Sequence, residues 1–137
     1  MIVADASAVL ALLLGEAIHR LNPADLNGAS ISSVNLTEVL TRLCDLGIPG
    51  EAINASIAEL NLRVISFDEM QARGAAGFRA ASRKFGLSLG DRACLALAKE
   101  LGCAAVTADR AWAAVDSDVE VIVIGSGSDP LPRDPLT

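Results

Sequence analysis

The sequence predicts an α/β domain, with a central, mainly parallel sheet of four to five strands and helices on both faces. Short runs of β-branched and small apolar residues recur along the chain, and segments with apolar residues at helical spacing separate them. Strands joined through helices are crossover connections, which make neighbouring strands parallel. A length of 137 residues and a hydrophobic content of 52% suit one domain with a continuous core.

Ile2 to Ala4 forms the first expected strand, and Asp5-Ala6-Ser7 leads into an Ala/Leu-rich helix ending near Gly15. A polar stretch through Asn22-Pro23 and Asn27-Gly28 breaks the pattern before a second strand at Ala29 to Ser32. Leu36, Val39, Leu40, Leu43 and Cys44 then recur at helical spacing, and Gly47 closes that helix. Ile48-Pro49-Gly50 links it to a helix carrying Ile53, Ile57 and Leu60 on one face. Arg63 to Ser66 reads as a third strand, and Asp68 as the N-cap of one long helix reaching about Phe85, ended by Gly86. Ser88 to Asp91 opens a nearly all-apolar helix, Ala93 to Leu101, which must be buried on most sides and stops at Gly102. Ala104 to Thr107 is the fourth strand, Asp109 to about Val115 a short helix, and Val119 to Ile124 the fifth strand. Residues 1–124 are therefore expected to form the domain and 125–137, rich in Gly, Ser and Pro, a flexible tail.

Composition narrows the chemistry. The mean hydropathy is +0.44, yet no apolar run reaches the roughly 18 to 20 residues that span a bilayer. Nothing around Met1 to Asp5 reads as an export signal, so a soluble, cytoplasmic protein is expected. Cys44, Cys94 and Cys103 lack zinc-site spacing and read as reduced thiols. With His19 the only histidine and no tyrosine, the catalytic inventory reduces mostly to carboxylates. A net charge of −6 runs against the basic footprint of a nucleic-acid binder; a bound metal or a basic partner would offset it.

In open parallel sheets, sites form beyond the carboxyl ends of the strands. Asp5 follows strand one, Asp109 lies just past strand four, Glu38 sits in the first turn after strand two, and Asp91 opens the buried helix. Alone, each has an ordinary structural explanation, as an N-cap, a capping box such as Ser88 with Asp91, or an i,i+4 pair such as Glu38 with Arg42. Together they put four acids at one edge, where like charges repel unless a cation joins them. Oxygen-only ligands favour Mg²⁺ or Mn²⁺, and such a site suits phosphodiester hydrolysis without histidine.

Four segments carry a further signal: V-A-D-A-S-A-V-L-A-L-L at Val3 to Leu13, I-S-S-V-N-L-T-E-V-L at Ile31 to Leu40, L-S-L-G-D-R-A-C-L-A-L-A at Leu87 to Ala98, and A-V-T-A-D-R-A-W at Ala105 to Trp112. In this order they resemble the PIN-domain nucleases, and more closely the VapC-type toxins of bacterial toxin–antitoxin pairs. The resemblance covers nearly the whole chain. It implies a PIN-like three-layer sandwich and a metal-dependent endoribonuclease, with Asp5, Glu38, Asp91 and Asp109 on the family's acidic quartet and Ser7, Asn35 and Thr107 on supporting polar positions. It also implies a VapB-like antitoxin in the active-site groove, a homodimer and an RNA substrate. Asp116 is a further acid of lower rank, its spacing not matching the quartet.

Arg92 and Arg110, each following a quartet acid, are the candidate RNA contacts. Arg79, Arg83 and Lys84 read more simply as a solvated helix face. Trp112 and the three phenylalanines read as packing residues, and His19 as a surface residue without a catalytic role. Gly125-Ser126-Gly127 precedes no helix and is no dinucleotide loop. Two rival readings remain: an aspartate-based phosphatase with Asp5 as nucleophile, weakened by Ser7 where a second Asp is wanted, and a non-catalytic partner-binding module in which the acids are only caps.

Overall fold

A computed structural model describes residues 1–115 and 117–125, the side chains of residues 81 and 82 excepted. The elements run β1 (Ile2–Ala4), α1 (Ala6–Leu13), a 3-10 turn (Pro23–Leu26), β2 (Ser30–Ser32), α2 (Ser33–Asp45), α3 (Gly50–Glu59), β3 (Arg63–Ile65), α4 (Glu69–Gly77), α5 (Arg79–Ser82), a 3-10 turn (Arg83–Phe85), α6 (Leu89–Leu101), β4 (Ala104–Thr107), a 3-10 turn (Arg110–Ala114) and β5 (Val121–Val123). Asp116 and residues 126–137 of the expected 125–137 tail lie outside the described residues.

All five strands among the described residues are parallel, in the order β3-β2-β1-β4-β5. The chain therefore winds outward from β1 to β3, returns, and winds out the other way through β4 and β5. The reversal falls between β1 and β4, and ligand crevices in open α/β sheets form outside the carboxyl ends of the strands at such a point.

Alternation along the strands separates two cores. Val3 and Ala105 face a layer with Phe78, Leu95, Leu97 and Trp112, whereas Ala4 and Val106 face Ala8, Val9, Val39, Leu43 and Ile53. The three-layer expectation therefore holds. Ala93 to Ala98 are buried without interruption, because α6 packs on the sheet and also against α2 and α4. Each fully buried Leu there contributes roughly 1.5–3 kcal/mol, which makes α6 the firmest support near the crevice. Trp112, 1% exposed, belongs to this core, as expected, and is out of reach of a base.

Two expected helices differ. The segment from Asp68 to Phe85 is three pieces instead of one long helix, because α4 stops at Phe78, whose ring is buried. Gly74 and Gly77 weaken the helix just before that point, and Gly74 lets α4 approach Ala96 closely. The segment after Asp109 is a 3-10 turn. No helix among the described residues is long and apolar enough to cross a membrane.

Candidate metal centre

Strand register builds the centre of the site. Ile2, Val3 and Ala4 pair with Ala104, Ala105 and Val106, so the next residues, Asp5 and Thr107, leave the sheet side by side. The Asp5 N–H still donates to Val106 O at 3.0 Å, which seats it at the β1/β4 reversal. Its side chain is the N-cap of α1, with Oδ1 accepting from Ala8 N at 2.8 Å. Thr107 Oγ1 donates to Asp5 Oδ2 at 2.6 Å, and Ser7 Oγ donates across both carboxyl oxygens at 2.8 and 3.0 Å. Ser7 Oγ in turn accepts from Ala108 N at 2.9 Å, so both hydroxyls are locked between the acid and the backbone after β4.

Despite these donors, the Asp5 carboxyl is pushed up to about 7. Burial is the larger cause; Asp91 adds like-charge repulsion, while Thr107, Ala8 and Ser7 pull the other way. Asp5 is 3% exposed and has no cation to match its charge among those causes.

Asp91 reaches the same edge because α6, a crossover helix leading into β4, starts there. It is the N3 residue of a true capping box: Ser88 Oγ accepts from Asp91 N at 3.2 Å and Asp91 Oδ2 accepts from Ser88 N at 2.9 Å. Glu38, on α2, stretches toward α6. Asn35 Nδ2 donates both to Glu38 Oε1 at 2.9 Å and to Gly90 O at 3.0 Å, tying α2, α6 and the acid together. Both partners are acceptors, so the amide can only face them with its nitrogen. Asn35 Oδ1, buried, is then left without a donor.

The thiol of Cys94, buried in α6, registers these charges jointly. Burial raises its pKa first, and Asp5, Asp91, Cys103 and Glu38 each raise it further. Three of the four expected acids thus lie within electrostatic reach of one point. Asp109 joins by another route: its N–H donates to Thr107 Oγ1 at 3.0 Å, and its Oδ1 caps the following turn through Ala111 N at 2.9 Å. Caps are therefore real at Asp5, Asp91 and Asp109, alongside whatever else these acids do.

Among the described residues no three Asp, Glu, His or Cys side chains stand close enough to ligate one ion as placed. The acids share an edge without forming a closed ligand set. Chemistry and charge nevertheless suit a hard divalent cation: the donors are all oxygen, Asp5 is costly to ionise unaided, and Asn35 Oδ1 wants a donor such as a water of hydration.

The two candidate RNA contacts differ. Arg92 turns to α4, where Nη1 donates to Ala75 O at 3.3 Å and Nε is buried without a partner; Arg110 is exposed. Sequence reasoning missed Gly90, whose Cα faces the Glu38 carboxylate. A glycine just inside a helix start, directly before an acid, was the available signal.

A family model described as PIN domain matches residues 2–118. Comparison with curated protein sequences finds no match. Among solved structures, VapBC2 of Rickettsia felis bound to a DNA fragment from its promoter superposes with a TM-score of 0.69 at 15% identity, covering 90% of this chain and 99% of the other. DNA-bound VapBC of Salmonella typhimurium gives 0.68 at 18%, covering 89% and 96%. VapC20 of Mycobacterium tuberculosis, described as a toxin that cleaves the sarcin–ricin loop, gives 0.65 at 19%, covering 87% and 98%. At these identities the likeness is one of fold.

Proposed function

The chain belongs to the PIN-domain family, and from that premise we propose that it is a Mg²⁺- or Mn²⁺-dependent endoribonuclease acting as the toxin of a type II toxin–antitoxin pair. The observation that carries the reading is the buried Asp5 carboxyl, pushed up to about 7 at the β1/β4 reversal with the charge of Asp91 bearing on it. A structural cap gains nothing from such a place, whereas a ligand awaiting a cation does.

Asp5, Glu38, Asp91 and Asp109 would hold the ion. When bound, a divalent cation supplies water activation at neutral pH and charge neutralisation at the phosphoryl oxygens. The chain's own residues do the positioning. Ser7 and Thr107 orient the Asp5 oxygens, Asn35 fixes the Glu38 oxygen, and the capping box holds Asp91 at the mouth of α6. Arg110, exposed beside Asp109, is the better placed of the two arginines to meet an RNA phosphate.

A VapB-like antitoxin, a homodimer and a cytoplasmic location complete the proposal. The antitoxin is supported by neighbours that are toxin–antitoxin complexes and by the net charge of −6, which a basic partner would complement. Incubation of purified protein with RNA and Mn²⁺ tests the activity. Cleavage by the parent, none by Asp5→Asn or Asp91→Asn, and no hydrolysis of a small phosphate ester are the expected results. Parental rates in both variants would refute the assignment.

A further inference from the structure

We propose that Gly90 is a positioning residue: the absence of a side chain there sets where the Glu38 carboxylate stands. A Cβ at Gly90 would lie 2.5 Å from Glu38 Oε2 and 2.7 Å from Cδ, closer than atoms can pack. The carboxylate therefore occupies the volume that any other residue would fill.

Backbone conformation does not call for glycine here. Gly90 is the second residue of α6 and is absent from the positive-φ glycines among the described residues, which are Gly15, Gly28, Gly47, Gly86 and Gly102. Inside a helix, alanine is ordinarily the more favourable choice. What Gly90 provides is space on the α2 side of α6, and Asn35 uses the same contact: its Nδ2 holds Glu38 Oε1 and Gly90 O together. Glu38 is the tip of a flexible side chain on an exposed helix position, so an added methyl group displaces it with little cost to the fold. Its geometry therefore depends on a neighbour that contributes no functional group.

The inference rests on the reading of Glu38 as a metal ligand, and the test separates the two. In metal-free protein, the Asn35 side-chain amide is followed by ¹H–¹⁵N NMR in the parent and in Gly90→Ala. Mn²⁺ binding is followed by calorimetry in the parent, Gly90→Ala, Glu38→Ala and the double variant. Gly90→Ala should melt no lower than the parent, shift the Asn35 amide signals, and weaken Mn²⁺ binding by about tenfold to a hundredfold. In the Glu38→Ala background the same substitution should change Mn²⁺ affinity no further, since it acts only through Glu38. If Gly90→Ala does not fold, the double variant should, because the atoms in the way are gone; failure of both overturns the proposal. Unmoved Asn35 signals overturn it, as does an additive loss in the double variant. Mn²⁺ affinity indifferent to Glu38→Ala itself marks a failure of the four-acid reading instead, and removes the basis on which Gly90 matters.

Discussion

Thr107 Oγ1 gives a 2.6 Å hydrogen bond to Asp5 Oδ2 and takes one of 3.0 Å from the N–H of Asp109, so one hydroxyl joins two acids that lie 104 positions apart. The join follows from register, because β1 and β4 are adjacent and end together at the reversal of the sheet. Thr107→Val keeps the shape and removes the hydroxyl. It should cost on the order of 1–3 kcal/mol in denaturant unfolding, since buried Asp5 Oδ2 keeps only the Ser7 hydroxyl and the part-buried Asp109 N–H loses its Thr107 acceptor. It should also move the Asp5 carboxyl further up, because this hydrogen bond lowers it. Thr107→Ser should do neither.

Asp5 gives the metal-free protein a pH dependence of unusual sign. The folded chain keeps its proton up to about 7, whereas the unfolded chain releases it near the ordinary 3.8. Between those values the folded state binds more protons, so stability is fullest below the lower one and falls as pH rises through the higher. The loss is on the order of 4 kcal/mol for a fully buried group. Asp5→Asn, neutral throughout, should abolish this part of the slope and be the more stable protein at pH 8. Urea midpoints of parent and variant between pH 4 and 8 measure the difference; parallel curves would contradict it.

If Asp5 is a ligand as proposed, cation binding must displace its proton where it is still held. Mn²⁺ titrations at pH 6 in two buffers of different ionisation enthalpy should show release of about one proton per ion, and much less at pH 8. Identical heats in both buffers at pH 6 would mean that the ion binds elsewhere.

Variants at Asp91 and Ser88 should separate the cap from the proposed ligand role. Asparagine can still accept from Ser88 N, so Asp91→Asn should melt near the parental temperature yet cleave no RNA. Ser88→Ala is the converse: it loses the bond to Asp91 N, costing about 1 kcal/mol, while cleavage persists. Thermal melts beside a cleavage assay distinguish the pair, and activity in Asp91→Asn would leave the residue as a cap alone.

The strands were legible where local composition decides. Ile2 to Ala4 and Ala104 to Thr107 have the bounds that their apolar runs suggest, and Gly86 and Gly102 end their segments in left-handed conformation, as glycine allows. The break at Phe78 was not legible, because it depends on a ring finding the core, a tertiary gain that outweighs helical periodicity. The acids could be listed from sequence once the sheet-edge rule applied, but their relations could not. That Asn35 bridges Glu38 to Gly90 depends on how α2 packs against α6, and that Arg92 turns to the Ala75 carbonyl depends on α4. Neither leaves a mark in residue spacing.

The central claim is that four separated acids serve one cation site at the β1/β4 reversal. Anomalous diffraction from crystals soaked in Mn²⁺ addresses it most directly. The account predicts a strong peak beyond the ends of β1 and β4, with carboxylate oxygens of Asp5 and Asp91 among its ligands and Glu38 and Asp109 on the ion or on its waters. A peak away from that crevice, or none there with all four carboxylates still in their capping and amide contacts, would contradict it.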